Sequence, residues 1–249
     1  MALMRLVSSE WRKFRAVPTM WWLLLAMMAA SVVATVLAFM LNDIRKVTPN
    51  QGHALGEALH TVGFASVLVM VAAIIGCAGE FRFGQADQTF LSTPKRGRVV
   101  AAKSVVYAFL GAIFGALNAS IVLGTAWIWL TIKGYGLPMH QSVLWLTLGG
   151  GVASAVLYAV FGIAVGAALR SQVLGIVLVL AVQQVLEASL FAASSSVGRW
   201  TASEAGDALR DFPQQGLLTM GTGAAILAAW AAGILSIGYI RTKRGDITT

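Results

Sequence analysis

Glu187 is the one acid that falls well inside an apolar run of this 249-residue chain, and Gln183 and Gln184 precede it by four and three residues. On a helix those intervals place the three side chains on neighbouring parts of one surface. An ionisable group at mid-bilayer costs about 2.5 to 3.5 kcal/mol on insertion scales, so it faces protein or water rather than lipid. Two readings stand side by side. Gln183, Gln184 and Glu187 form a polar stripe on the path of a translocated molecule, or Glu187, about 6 Å from the end of its run, reaches the outer interface. A carboxylate so placed is also the group an ion-coupled carrier would use to cycle a proton.

Other reactive residue types are sparse. His53 and His60 are seven apart and could share a helix face, while His140 lies beside Gly136 and Pro138. Two histidines without cysteine or an organised acidic set make a poor metal site, so no metal is expected. The sequence has no HExxH motif and no Gly-Lys dipeptide, hence no P-loop for ATP, and no two carboxylates share an apolar run to act as an acid and base pair. The chain is expected not to be an enzyme and to hold no cofactor. Cys77, alone in the sequence, reads as a small buried hydrophobe.

The elements that must position these groups are set by composition. Apolar residues make up 58% of the chain and charged residues 11%, far below the charged quarter, about 25%, usual for soluble domains. Hydrocarbon cannot satisfy open backbone groups, and uninterrupted apolar runs of about 20 residues favour helices over barrel strands. Six spans are expected, over 20–41, 61–79, 104–130, 143–169, 173–191 and 217–240. The first run is longer than the roughly 7 to 15 apolar residues of a cleavable signal and is expected to be retained.

Charge fixes the expected orientation. Of the Lys and Arg residues, 13 fall on one side of this scheme, including Arg12, Lys13, Arg82, Lys103, Arg170 and Arg244, and 5 on the other: Arg45, Lys46, Lys133, Arg199 and Arg210. The positive-inside rule puts both termini, the polar island 80–98 and the Arg170 turn in the cytoplasm. Anionic inner-leaflet lipid is then sufficient partner for the net charge of +8, and nucleic acid is not expected.

Ahead of the first span, Leu3, Leu6, Val7, Trp11 and Phe14 recur at intervals of three and four, against Arg5, Ser8, Arg12, Lys13 and Arg15. That pattern predicts an amphipathic helix on the inner surface, either a lipid anchor or an elbow that transmits motion to the span. In the last outer link, 192–216, Thr201 and Glu204 stand in capping-box register before a short helix that Pro213 ends. Gly111, Gly115 and Ala119 form one small-residue ridge and Gly162 and Gly166 another, for packing within the chain or between copies.

The island reads EFRFGQADQTFLSTPKRGR. Glu80, Arg82 and Gly84 directly after the second span, then Thr89, Leu91, Thr93, Pro94 and Arg96, and Ala101, Ala102 and Lys103 leading into the third, resemble the inner-loop motif of the ABC type-2 permease family. These are the membrane subunits of bacterial ABC exporters. The basic N-terminal helix, the span spacing and the long last outer loop extend the resemblance over nearly the whole chain. It departs where family members often carry Thr and basic residues after the motif glycine and this chain has Gln85, Ala86, Asp87 and Gln88.

The resemblance implies an all-α integral membrane protein, one permease domain over 1–249, with six transmembrane helices, the N-terminal interfacial helix and a cytoplasmic coupling helix between spans 2 and 3. It implies ATPase-coupling roles for Glu80, Arg82, Gly84, Asp87, Thr89, Phe90, Leu91, Pro94 and Arg96, with 87–91 as docking surface and Pro94 and Gly97 turning the chain back. Gln183, Gln184 and Glu187 would touch a hydrophobic or amphipathic substrate, such as a drug, lipid or peptide. A separate ABC ATPase subunit carrying ATP and Mg, and a second permease copy, identical or not, complete the expected exporter in the bacterial plasma membrane. The alternatives are an ion- or proton-coupled secondary transporter using Glu187 and a membrane scaffold or immunity protein that transports nothing.

Overall fold

Small side chains dominate the run 142–169, which carries Gly149, Gly150, Gly151, Gly162 and Gly166 together with seven alanines and serines between Ala153 and Ala168. A helix of that composition lets neighbours approach on every side, and it becomes the axis of the fold. In the computed structural model, which describes residues 2–41, 52–82 and 96–244, 67% of the apolar window of this helix is buried, against 22%, 17% and 22% for the first, fifth and sixth candidate spans.

The protein is an all-α membrane protein, with no strand among the described residues. Helix α1 spans Ala2–Ala16, α2 Pro18–Leu41 and α3 Gly52–Leu59; a 3-10 turn at His60–Gly63 leads into α4, Phe64–Arg82. Then come α5, Arg96–Ile132, and the axial α6, Ser142–Leu169. The next span starts as α7, Gln172–Ala181, widens into a π segment at Val182–Glu187 and ends as α8, Ala188–Ala193. Two short helices, α9 (Ser195–Gly198) and α10 (Ala202–Leu209), precede α11, Met220–Arg244. Six helices are long and apolar enough to cross a membrane: Pro18–Leu41, Leu55–Phe81, Val99–Ile132, Ser142–Leu169, Gln172–Ala193 and Met220–Arg241.

Two of these begin earlier than hydropathy suggests, for different reasons. The second starts near Leu55 rather than residue 61, because Leu55, Ala58, Leu59 and Val62 form a buried stripe between the polar Glu57, His60 and Thr61. The third starts near Val99 rather than residue 104, because the Lys103 charge is paired inside the protein and does not mark a water boundary. Gly97 accordingly lies in the first turn of α5, against the ring of Tyr239, and not in a turn of the chain.

The glycine ridges act within the chain. A Cβ at Gly111 would stand 2.6 Å from the Ala155 carbonyl oxygen, and one at Gly162 would stand 2.5 Å from that of Met70, so α5 and α4 both lie backbone to backbone on α6. Polar side chains pin the same helices: Ser31 donates to Asn118 Oδ1, Asn118 Nδ2 donates to the Val62 carbonyl at 3.0 Å, and the Ser66 and Ser154 hydroxyls meet at 2.9 Å. Buried hydrogen bonds of this kind hold membrane helices in register where lipid offers them no alternative partner.

Gly162→Val is expected to destabilise the purified protein by about 1 to 3 kcal/mol, the usual cost of overpacking. Gly124→Val, where a Cβ meets open space, serves as the control. The comparison is the midpoint of thermal unfolding in detergent, and equal midpoints for the two variants would contradict the packing described here.

Candidate functional site

Polar groups collect at the two ends of the bundle. At the end that carries α1 and the last turn of α11, Lys103 is the centre of a four-charge knot. Its Nζ lies 2.5 Å from Glu10 Oε2 and 2.8 Å from Glu80 Oε1, while Lys13 Nζ lies 2.9 Å from Glu10 Oε1 and 2.7 Å from Glu80 Oε1. Glu10 and Lys103 are each only 4% exposed, so neither charge would be tolerated without the others. Two carboxylates against two ammoniums leave the knot neutral.

Local sequence explains how the knot is reached. Glu10 and Lys13 are one helical turn apart on α1, and beside them the same helix buries Phe14 against Tyr107 and Phe114 and sets Trp11 beside Phe109. The N-terminal helix therefore packs its apolar face on the third span. Arg12 and Arg15 remain exposed. Glu80 sits near the end of α4 and Lys103 near the start of α5, so the knot joins the two helix ends that flank residues 83–95 to α1. A cavity of about 240 Å³ adjoins it, lined by Glu10, Lys13, Glu80, Lys103, Tyr107 and Gln172 among others.

Of the coupling residues expected from sequence, Glu80 is the one whose side chain is described. Gly84, Asp87, Thr89, Phe90, Leu91 and Pro94, and with them the expected coupling helix, lie outside the described residues. Arg82 ends α4 and Arg96 opens α5. Lys103 was missed as the partner of Glu80, and Glu10 as the partner of Lys103; the available signal was that Lys103 is an isolated charge among Val99, Val100, Val106 and Tyr107 on its helix.

At the opposite end, α10 is folded down onto α6 and α11. Its Arg210 donates to Ser154 Oγ at 2.9 Å and forms an ion pair with Asp207, which in turn lies 3.7 Å from His60 Nε2. His60 also packs against the ring of Phe212, with centroids 4.1 Å apart. His60 is thus engaged with an aspartate and an aromatic ring, and among the described residues no group of three His, Cys, Asp or Glu side chains is placed to hold a metal. The side chain of His53 lies outside the description.

The three polar residues of the fifth span are engaged differently, although Gln183 and Gln184 line one cavity. Gln183 is buried, Gln184 is exposed, and the π segment that contains both changes the angular spacing on which a single stripe depends. Glu187 takes a role not anticipated: its Oε2 accepts from the Ser203 backbone N–H at 2.7 Å and from the Ser203 hydroxyl at 2.6 Å, capping the start of α10. A carboxylate there satisfies open N–H groups and complements the positive end of the helix. The Thr201–Glu204 capping box does not form, since Thr201 makes no side-chain cap bond and Glu204 turns into the protein, 7% exposed.

Burial, with Asp207 and Glu187 nearby, pushes the Glu204 carboxyl up to about 7, against the opposing effect of Arg210. Between its ordinary value of 4.5 and about 7 the folded protein holds a proton that the unfolded chain releases, so this group costs stability as pH rises through that window. Glu204→Gln is expected to be more stable than the parent at pH 8 and no more stable at pH 4.5, measured by thermal unfolding at constant ionic strength. A separate test concerns the knot. Lys103→Met leaves two buried carboxylates facing one ammonium, with an expected loss of about 3 to 5 kcal/mol locally, read as faster tryptic cleavage at Arg12, Lys13 and Arg15. Unchanged cleavage would show that α1 is held by its apolar face alone.

No curated protein matches the chain. A family model described as ABC-2 family transporter protein matches residues 6–184, which include most of α1, the charge knot and the first half of the π segment.

Proposed function

The chain belongs to the ABC-2 transporter family, and from that premise we propose that it is the membrane half of an ATP-driven exporter of hydrophobic or amphipathic molecules. It is a permease component rather than a catalyst. ATP is bound with Mg and hydrolysed on a separate ABC ATPase subunit, and two permease copies enclose the substrate path. Both termini, the knot and residues 83–95 face the cytoplasm, as the excess of Lys and Arg at that end supports.

The observation that carries this reading is the bridge of Lys103 between Glu10 and Glu80. Residues 83–95 connect α4 to α5, and the knot binds those two helix ends to each other and to α1. A partner that displaces the connecting segment therefore moves three elements as one body, which is how docking at one end of a bundle reaches its interior. In this scheme Asp87 to Leu91 supply the docking surface, Arg82 and Arg96 border it, and Glu80 transmits its movement. Use of Glu187 as a cycling proton carrier has no support from its geometry, because both hydrogen bonds it accepts serve to hold α10.

The direct test is gentle purification from the native membrane. A Walker-motif ATPase is expected to accompany the permease, to hydrolyse ATP in the complex, and to be lost when Arg82 or Asp87 is reversed in charge. Those two reversals are expected to abolish transport while membrane insertion and protein level remain normal. Normal transport by both variants, or isolation without any ATPase under conditions that preserve known complexes, would overturn the proposal.

A further inference from the structure

Between the 3-10 turn, the π segment and α10 lies a chamber of about 350 Å³, lined chiefly by Glu57, His60, Gln183, Gln184, Glu204 and Asp207. That volume is within the usual range for small-molecule sites. Its acids are not equally committed. Asp207 is paired with Arg210, and the neighbouring Glu187 is occupied by Ser203. Glu204 is different: it is 7% exposed and its Oε2 has no hydrogen-bond partner.

A buried carboxylate oxygen without a donor is costly, and a native site that retains one is suited to a donor from outside. We propose that the chamber binds a primary ammonium group, with Glu204 as its charge partner. A hard metal cation would need several oxygen ligands in one shell, and no such grouping exists among the described residues. An anion is disfavoured because Glu57, Glu204 and Asp207 outnumber Arg210, which is itself paired with Asp207, among the charged residues lining the chamber. An N–H cation is preferred to a quaternary one because the bond offered by Glu204 is a charge-assisted hydrogen bond. Phe64, Val67 and Ala188, which also line the chamber, provide apolar contact for the carbon chain that bears the ammonium.

The groups facing Glu204 set the pH dependence of this binding. Asp207 on α10 and Glu187 on the π segment oppose its ionisation, Arg210 favours it, and Tyr158 approaches from α6. The ammonium binds the ionised carboxylate, so affinity falls as pH drops through about 7.

Binding is a property of this chain and requires no ATPase; its failure would leave the permease reading intact, and absence of an ATPase would not affect it. The full-length protein in phosphatidylcholine nanodiscs is titrated calorimetrically with n-butylammonium chloride, n-butanol and butyltrimethylammonium chloride. Saturable binding of n-butylammonium alone is expected, weakened about ten- to a hundredfold by Glu204→Gln. Acidification from pH 8 to 5.5 should weaken it in the parent but not in Glu204→Gln. Replacing part of the phosphatidylcholine by phosphatidylethanolamine identifies the source: competition with n-butylammonium assigns the site to a lipid headgroup, and its absence assigns it to a free amine. Equal binding of n-butanol, no binding at all, or unchanged affinity in Glu204→Gln and at pH 5.5 would overturn the proposal.

Discussion

A charge taken out of water must find its opposite within a few ångströms, and this one constraint organises the structure. Lys103 lies inside the third span, where an isolated ammonium would be expelled to the interface. It stays because Glu10 and Glu80 reach it from α1 and α4. The position of the N-terminal helix, the depth at which the third span begins and the distance between the ends of α4 and α5 are all consequences of that requirement.

The far end answers the same constraint in another way. Arg210 is held by Asp207 and Ser154, and Glu187 is held by the start of α10. These contacts hold a short helix across the bundle, where Tyr158 donates to the Ala202 carbonyl at 3.0 Å and Trp230 donates to that of Trp200 at 2.9 Å. Both knots are built on α6 or its immediate neighbours, the most buried part of the chain. The fifth span, by contrast, is mostly exposed: Val177, Leu178, Val185 and Leu186 face outward, and its π segment places Gln183 in and Gln184 out. A peripheral, irregular helix between two tied ends is the element best placed to change its neighbours.

Much of the architecture was legible in the residues. Long apolar runs dictate helices in hydrocarbon, and the spacing of Val7, Trp11 and Phe14 marks the buried face of α1 without any knowledge of what covers it. The glycine ridges were legible as close contacts, but only the fold assigns Gly111 to Ala155 and Gly162 to Met70. Glu80 was legible as a candidate by motif; its partner Lys103, 23 positions on, read instead as the edge of a span. Hydropathy averages over a window and assigns a lone charge to water, so it misses a charge whose counter-ion arrives from a distant segment.

The sequence by itself therefore determined the class of fold, the number of crossing helices and the family, because those depend on local composition and short-range order. Tertiary structure alone decided which charges are paired and which is left over. Thr201 and Glu204 satisfy the register of a capping box, yet the cap is provided by Glu187 from another helix, and Glu204 is released into the chamber. Side-chain oxygens compete for the same open N–H groups at a helix start, and the winner is fixed by which backbone is brought near. No local pattern contains that distance.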